Sequence, residues 1–509
     1  MGVYINLDIV PSKIDKEEWE SVYLESLELI KAYPLASIIR EDIGRSKRLV
    51  LEKAREQGYG ENRFWSVSGD IESKQIGENF ILYKNLEKYS RGNGAINKDI
   101  LQVIMKAREG LSTVFDSKTQ GEEYHFYILS IAALIEDRLK GRAIVYGDFT
   151  KEQAEKAINF ANNILKEPIK LPVRVDEGEL LKRLEELSIK NLSNFLDLYI
   201  TENKDGLCEF IRENFSEQEI MNYFKSGLKE YNSATQLGAE RIMIRFLNMG
   251  YSLEELSNVC CLDEGGPKYN GEEFIKALGS TWVFVEKEYR ENMSIFVKEA
   301  VKPQYVEYQF GTAFLDMCGL LGRYCNRYIT MEEGIKILRD KLGYINGLEE
   351  IVQGKYNEAV EVLKKYGKEL DDIKTEYSET IEKNIIMDYD VLLKWDDSLE
   401  IADFIENNIK SILMQMKETI TDENYKVVSI INSLSTKEEI LEIMMDFLNK
   451  VNLILSREAW NWIDEIEDLK LCRFITLMIG LCSDSEVKSV VRAILENEKL
   501  FNKYVKLED

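Results

Sequence analysis

Two five-residue stretches share one pattern. Val67-Ser68-Gly69-Asp70-Ile71 and Val145-Tyr146-Gly147-Asp148-Phe149 each carry a β-rich run into Gly-Asp ahead of a helical segment. A carboxylate at a strand end is chemically useful, because open α/β sheets bind ligands beyond their strand ends. Asp8 lies near the end of another β-rich run, Val3 to Val10. If Asp8, Asp70 and Asp148 converge at one sheet edge, they offer Mg²⁺ the oxygen ligands it prefers, and attack on phosphate esters is the chemistry to expect. The plainer reading is turn and cap chemistry, since Gly-Asp is ordinary in turns and an Asp before a helix complements its dipole.

His125 is the only histidine in the chain. It stands in Glu122-Glu123-Tyr124-His125-Phe126-Tyr127, between acids and aromatics, a setting for a tuned general base or for a satisfied structural residue. One histidine removes His-rich metal sites, H-E-x-x-H proteases and Ser-His-Asp hydrolases unless His125 itself serves. The P-loop, G-x-G-x-x-G and G-x-S-x-G patterns are likewise missing, so NTPase, dinucleotide and serine-hydrolase readings lose their usual support. Asp8, Asp70, Asp148 and His125 remain as the ligand-binding candidates.

Other charged or aromatic groupings read as structure. Glu136-Asp137-Arg138, followed by Arg142, suits a solvated helix end with surface ion pairs. Arg40, Arg45, Lys47, Arg48, Lys53 and Arg55 alternate with Glu41, Asp42, Glu52 and Glu56, which is ordinary surface and no nucleic-acid stripe. The aromatic stretch from Tyr305 to Tyr328 reads as core packing. Seven cysteines, with Cys260 and Cys261 adjacent and no C-x-x-C, fit free, packed thiols in a reducing compartment.

The elements that must position these residues follow from periodicity. Val3 to Val10, about Arg63 to Ser68, and Arg142 to Tyr146 predict strands, and helical stripes follow them. Asp15/Glu18 resemble a capping box before Trp19/Val22/Tyr23/Ser26, and Thr150/Gln153 another before Ala154/Ala157/Ile158. Pro168 and Pro172 interrupt any helix, which sets a boundary just beyond them. Further on, Ser216/Glu219, Ser252/Glu255, Thr330/Glu333 and Thr436/Glu439 open one helix after another, with no repeat period that holds over three units. The expected fold is mainly α, with a small N-terminal α/β domain built on a mixed sheet over residues 1–176. A helical domain over 177–345 and a helical bundle or hairpin array over 346–509 complete it.

The balance of 66 Lys+Arg against 91 Asp+Glu gives a net charge of −25. Such a field repels phosphate backbones and anionic membranes and attracts basic partners. The N-terminus lacks a basic leader region, and Phe126 to Ile135 is too short to span a bilayer, so a cytoplasmic location is expected. High Lys, Ile, Asn and Glu usage suggests a bacterial coding sequence. The first functional expectation is a cofactor-free interaction protein that binds another protein, and an immunity or neutralising role towards a basic toxin fits it. The alternative is the Mg²⁺-dependent phosphate-ester enzyme with its site in the N-terminal domain.

Overall fold

Ile5, Leu7 and Ile9 alternate with polar residues along β1, Tyr4–Ile9, and all three are fully buried. That two-residue period faces one side of a strand to a core. The computed structural model describes residues 3–90, 98–106, 109–200, 205–291, 325–382, 385–386, 389–421 and 426–505. Its architecture is mainly α with a small N-terminal α/β domain.

After β1 comes α1 (Lys16–Ala32), then the hairpin β2 (Leu35–Ile43) and β3 (Ser46–Lys53), a two-residue β4 (Glu56–Gln57), and the pair β5 (Phe64–Asp70) and β6 (Ile76–Tyr83). A short α2 (Ile100–Ile104), β7 (Ser112–Lys118), α3 (Tyr124–Arg138), β8 (Ala143–Gly147) and α4 (Lys151–Asn162) complete the domain. β7, β1 and β8 form one antiparallel sheet in that order, and β3, β2, β5 and β4 belong to a second in which β6 also pairs with β5. The two sheets meet between β6 and β7, where Glu78 accepts from Lys118 N at 2.9 Å and Asn79 O accepts from the Ser117 hydroxyl at 3.1 Å. α3 is apolar around most of its circumference because it lies in the core, with Ile128, Leu129, Ile131, Leu134 and Ile135 all fully buried.

Three of the predicted strands correspond to β1, β5 and β8, whereas β2, β3, β6 and β7 add strands that charge and polar residues conceal in the sequence. Thr150 and Gln153 form the expected capping box. Asp15 does not: its side chain makes no cap bond, and Glu18 turns away to hold the Arg142 guanidinium instead. Ser252/Glu255 and Thr436/Glu439 form complete boxes, while Glu219 leaves Ser216 to accept from Leu192 N.

Helices follow from α5 (Glu177–Glu186) onward, interrupted by the short strands β9 (Ile385–Ile386), β10 (Glu400–Ile401) and β11 (Leu455–Ser456). The N-terminal domain contributes to the cores of both helical regions. Val10, Ile100, Leu101, Ile144 and Val173 pack with residues 180–352, and Val50 packs with residues 386–505. β11 joins β3 in parallel, Leu455 opposite Val50 and Ser456 opposite Leu51, and this ladder makes the second sheet mixed. Side chains extend the cover of that edge: Asn449 donates to Lys47 O at 2.8 Å and the Trp460 indole to Leu49 O at 3.3 Å. An open strand edge is a template for unwanted pairing, and here the C-terminal helices close it.

Candidate functional site

The three aspartates do not converge. Asp8, at a bulge in β1, is buried and accepts from Thr113 Oγ1 at 2.8 Å and from the Tyr146 hydroxyl at 2.9 Å. Asp148 is exposed at the other end of the same strand, where its carboxylate accepts from Tyr4 N at 2.9 Å. Asp8 lies opposite Ile144 and Asp148 binds back to Tyr4, so four residue steps along β1, from Tyr4 to Asp8, separate the two. At roughly 3.3 Å per residue that is about 13 Å. An ion with ligands at about 2.0–2.1 Å cannot join groups so far apart.

Asp70 lies in the second sheet, opposite Leu35. One carboxylate oxygen accepts from Glu72 N at 2.9 Å and Ser73 N at 2.6 Å, closing the turn from β5 into β6. The chain therefore continues into a strand where a helix is expected, and the two Gly-Asp copies do not mark equivalent units. Burial pushes the Asp70 carboxyl up, and its Oδ2 is buried without a hydrogen-bond partner among the described residues. Among the described residues, no group of three His, Cys, Asp or Glu side chains is arranged to hold a metal ion. The expected shared Mg²⁺ site does not form, because the length of β1 separates Asp8 from Asp148 and Asp70 belongs to the other sheet.

His125 is fully buried at the start of α3, with Nδ1 2.7 Å from the Thr119 hydroxyl and Nε2 without a hydrogen-bond partner among the described residues. Burial holds its pKa down to about 3. A neutral imidazole sealed from solvent reaches no substrate, so the structural role describes it. It does carry a pH signature. The unfolded chain protonates near 6.5 while the folded chain stays neutral down to about 3. The stability that His125 contributes is therefore complete above pH 6.5 and falls as pH drops towards 3, by about 1.4 kcal/mol per unit and about 2 kcal/mol by pH 5. Between pH 7.5 and 5.0 urea unfolding should show the wild type losing about 2 kcal/mol relative to His125→Gln, because the opposite contribution of the buried Glu136 carboxyl is common to both. Equal losses in both would show that other groups set the acid response.

Comparison with protein-family models, curated proteins and solved structures returned no match.

Two features escape the sequence reading. The charged run from Arg40 to Arg55 is the β2–β3 hairpin, and it is a seam, not plain surface. Arg48 is buried, its guanidinium 4.2 Å from the Trp460 ring centroid and bonded to both Asp464 oxygens at 2.7 and 2.9 Å. Arg457 reaches Glu41 and Glu52, and Ser46 donates to Asp446 at 2.8 Å. Beside them the buried Glu496 carboxylate accepts from Ser456 N at 2.7 Å and Ser456 Oγ at 2.5 Å, and it pairs with Lys74 at 3.3 Å. No local signal reveals these partners, because they lie some four hundred residues apart along the chain.

The second is Glu136, expected at a solvated helix end and in fact buried. Its two oxygens accept from Val145 N of β8 and Val173 N of the turn Val173–Val175, each at 2.6 Å. Burial raises its pKa to about 7 against the pull of those two amides and of Arg183 and Arg174. The i, i+1 acid pair Glu136-Asp137 at the end of an otherwise apolar helix is the one sequence cue available. The aromatic stretch from Tyr305 to Tyr324 lies outside the described residues, and Tyr328 is exposed.

Proposed function

We propose that this chain is a protein-interaction protein of the cytoplasm whose partner is basic. The observation that supports the reading is the charge distribution. The net charge is −25, and many of the basic side chains present are engaged with carboxylates of the chain itself, among them Arg48, Arg138, Arg142, Arg183 and Arg457. Internal pairing of the bases leaves the acidic excess to face outward. Such a surface steers cationic partners and repels nucleic acid. A neutralising role towards a basic toxin is one form that this binding takes. No helix among the described residues is long and apolar enough to cross a membrane.

Affinity capture from the native cells is expected to return one basic protein in stoichiometric amount, released by raising the salt. Repeated capture of nothing, or of neutral and acidic proteins only, would overturn the reading.

A further inference from the structure

Glu136 lies at a cleft between the N-terminal domain and the first helices of the helical region. Lys170, Leu171 and Val173 of the connecting segment form one wall, and α5 supplies Glu179 and Arg183. The carboxylate does the work of a missing strand there. The outer edge of β8 would otherwise present Val145 N, and the connecting segment would present Val173 N; Glu136 takes both.

The charged groups around it are engaged elsewhere. Arg183 binds Asp99, at 2.7 Å, and Lys140 pairs with Glu179 at 3.3 Å. Asp137 holds Arg138 at 2.8 Å and accepts from Lys170 N at 3.3 Å, while Asp176 caps α5 by accepting from Glu179 N at 2.9 Å. Arg174 donates to Leu198 O at 2.5 Å and lies 5.5 Å from the Tyr146 ring centroid. Among the described residues Glu136 thus has two backbone amides for direct partners and no salt bridge of its own, although it is shut away from water. A carboxylate in that position is desolvated without full compensation.

We propose that Glu136 is an ionisable pin between the N-terminal sheet and the helical region, whose ionisation loosens the Val173 segment from β8 and whose protonation lets it close. The direction follows from linkage. Closed, the group titrates near 7 because of burial; once the cleft opens, water restores it towards the ordinary 4.5. The closed form therefore binds the proton more tightly, so raising the pH from about 4.5 to 7 favours opening and the effect is complete above 7. The chemistry is one proton leaving the carboxyl for solvent, with no other bond made or broken. The pin sets how firmly the helical region is held, near neutral pH.

Amide exchange of the full chain, corrected for the intrinsic rate, tests this between pH 6 and 8.5. The opening constant at Val173 is expected to rise with pH, by up to about tenfold per unit, below 7 and to level off above it, where closed and open forms are both ionised. Glu136→Gln, neutral at every pH, should flatten the Val173 profile. Arg183→Gln, which removes a nearby positive charge, should move its midpoint to higher pH, a shift that a purely structural role for Glu136 does not produce. A flat wild-type profile, or an Arg183→Gln profile with an unmoved midpoint, would overturn the proposal even if Glu136→Gln fails to fold.

Discussion

Gly147→Val is expected to unfold the N-terminal domain or leave it barely stable, with a loss of at least about 3 kcal/mol. Gly147 ends β8 at φ +146°, a conformation that side-chain-bearing residues rarely adopt. A Cβ built there lies 2.4 Å from Tyr4 O and 3.1 Å from Tyr4 C, both backbone atoms of the neighbouring strand. Neither can move without breaking the ladder that pairs Gly147 with Ile5. Strain of roughly 1–3 kcal/mol for the backbone alone is joined by the steric overlap. Against a typical domain stability of about 5–15 kcal/mol this is a large fraction. Thermal unfolding of the full chain measures it, and an unchanged midpoint would mean that β8 accommodates a side chain at this point.

Glu496→Ala is expected to destabilise the protein by about 3–5 kcal/mol, the range for removing one partner of a buried pair. The carboxylate is the hub of the seam: it takes two bonds from Ser456 and faces Lys74, whose side chain is only 13% exposed. Without it, Lys74 keeps its bond to the Glu496 backbone carbonyl but loses its buried counter-charge, and Ser456 N loses its acceptor where β11 meets β3. The control is Glu458→Ala, because Glu458 also pairs with Lys74, at 3.6 Å, but is 82% exposed. Exposed pairs contribute about 0–1 kcal/mol. Denaturant midpoints for the two variants should therefore separate clearly, and similar midpoints would show that Glu496 is not the hub.

These two sites differ in how far the sequence exposes them. Gly147 is legible: a glycine between a β-rich run and the Thr150/Gln153 capping box must turn the chain, and strand β8 and helix α4 both lie where periodicity puts them. The seam is not. Strands β2 and β3 carry adjacent charges, Arg40-Glu41-Asp42 in one and Lys47-Arg48 and Glu52-Lys53 in the other, so their sequence looks like any solvated surface, and only the return of the chain from Leu455 onward buries Arg48. Burial of that kind is decided by long-range packing, which one-dimensional patterns do not carry.

The same reason explains the fate of the aspartates. Strand ends are visible in the sequence, but which end of β1 each carboxylate meets depends on antiparallel pairing, and that pairing puts Asp8 and Asp148 at opposite ends. Glu136 was hidden by its neighbours. Asp137 and Arg138 do form ion pairs, but at only 15–16% side-chain exposure, while Glu136 points inward one residue earlier. His125 shows the converse, since its aromatic surroundings already favour a packed and neutral ring.

The proposal of a basic partner rests on the outward acidic field, and one titration addresses it directly. The dissociation constant of the purified complex should be measured from 50 to 500 mM NaCl. Screening over a Debye length of roughly 10 Å at 0.1 M weakens an association steered by net charge. A dissociation constant that rises steadily across this range is the predicted result, and one that stays constant would contradict a charge-driven interaction.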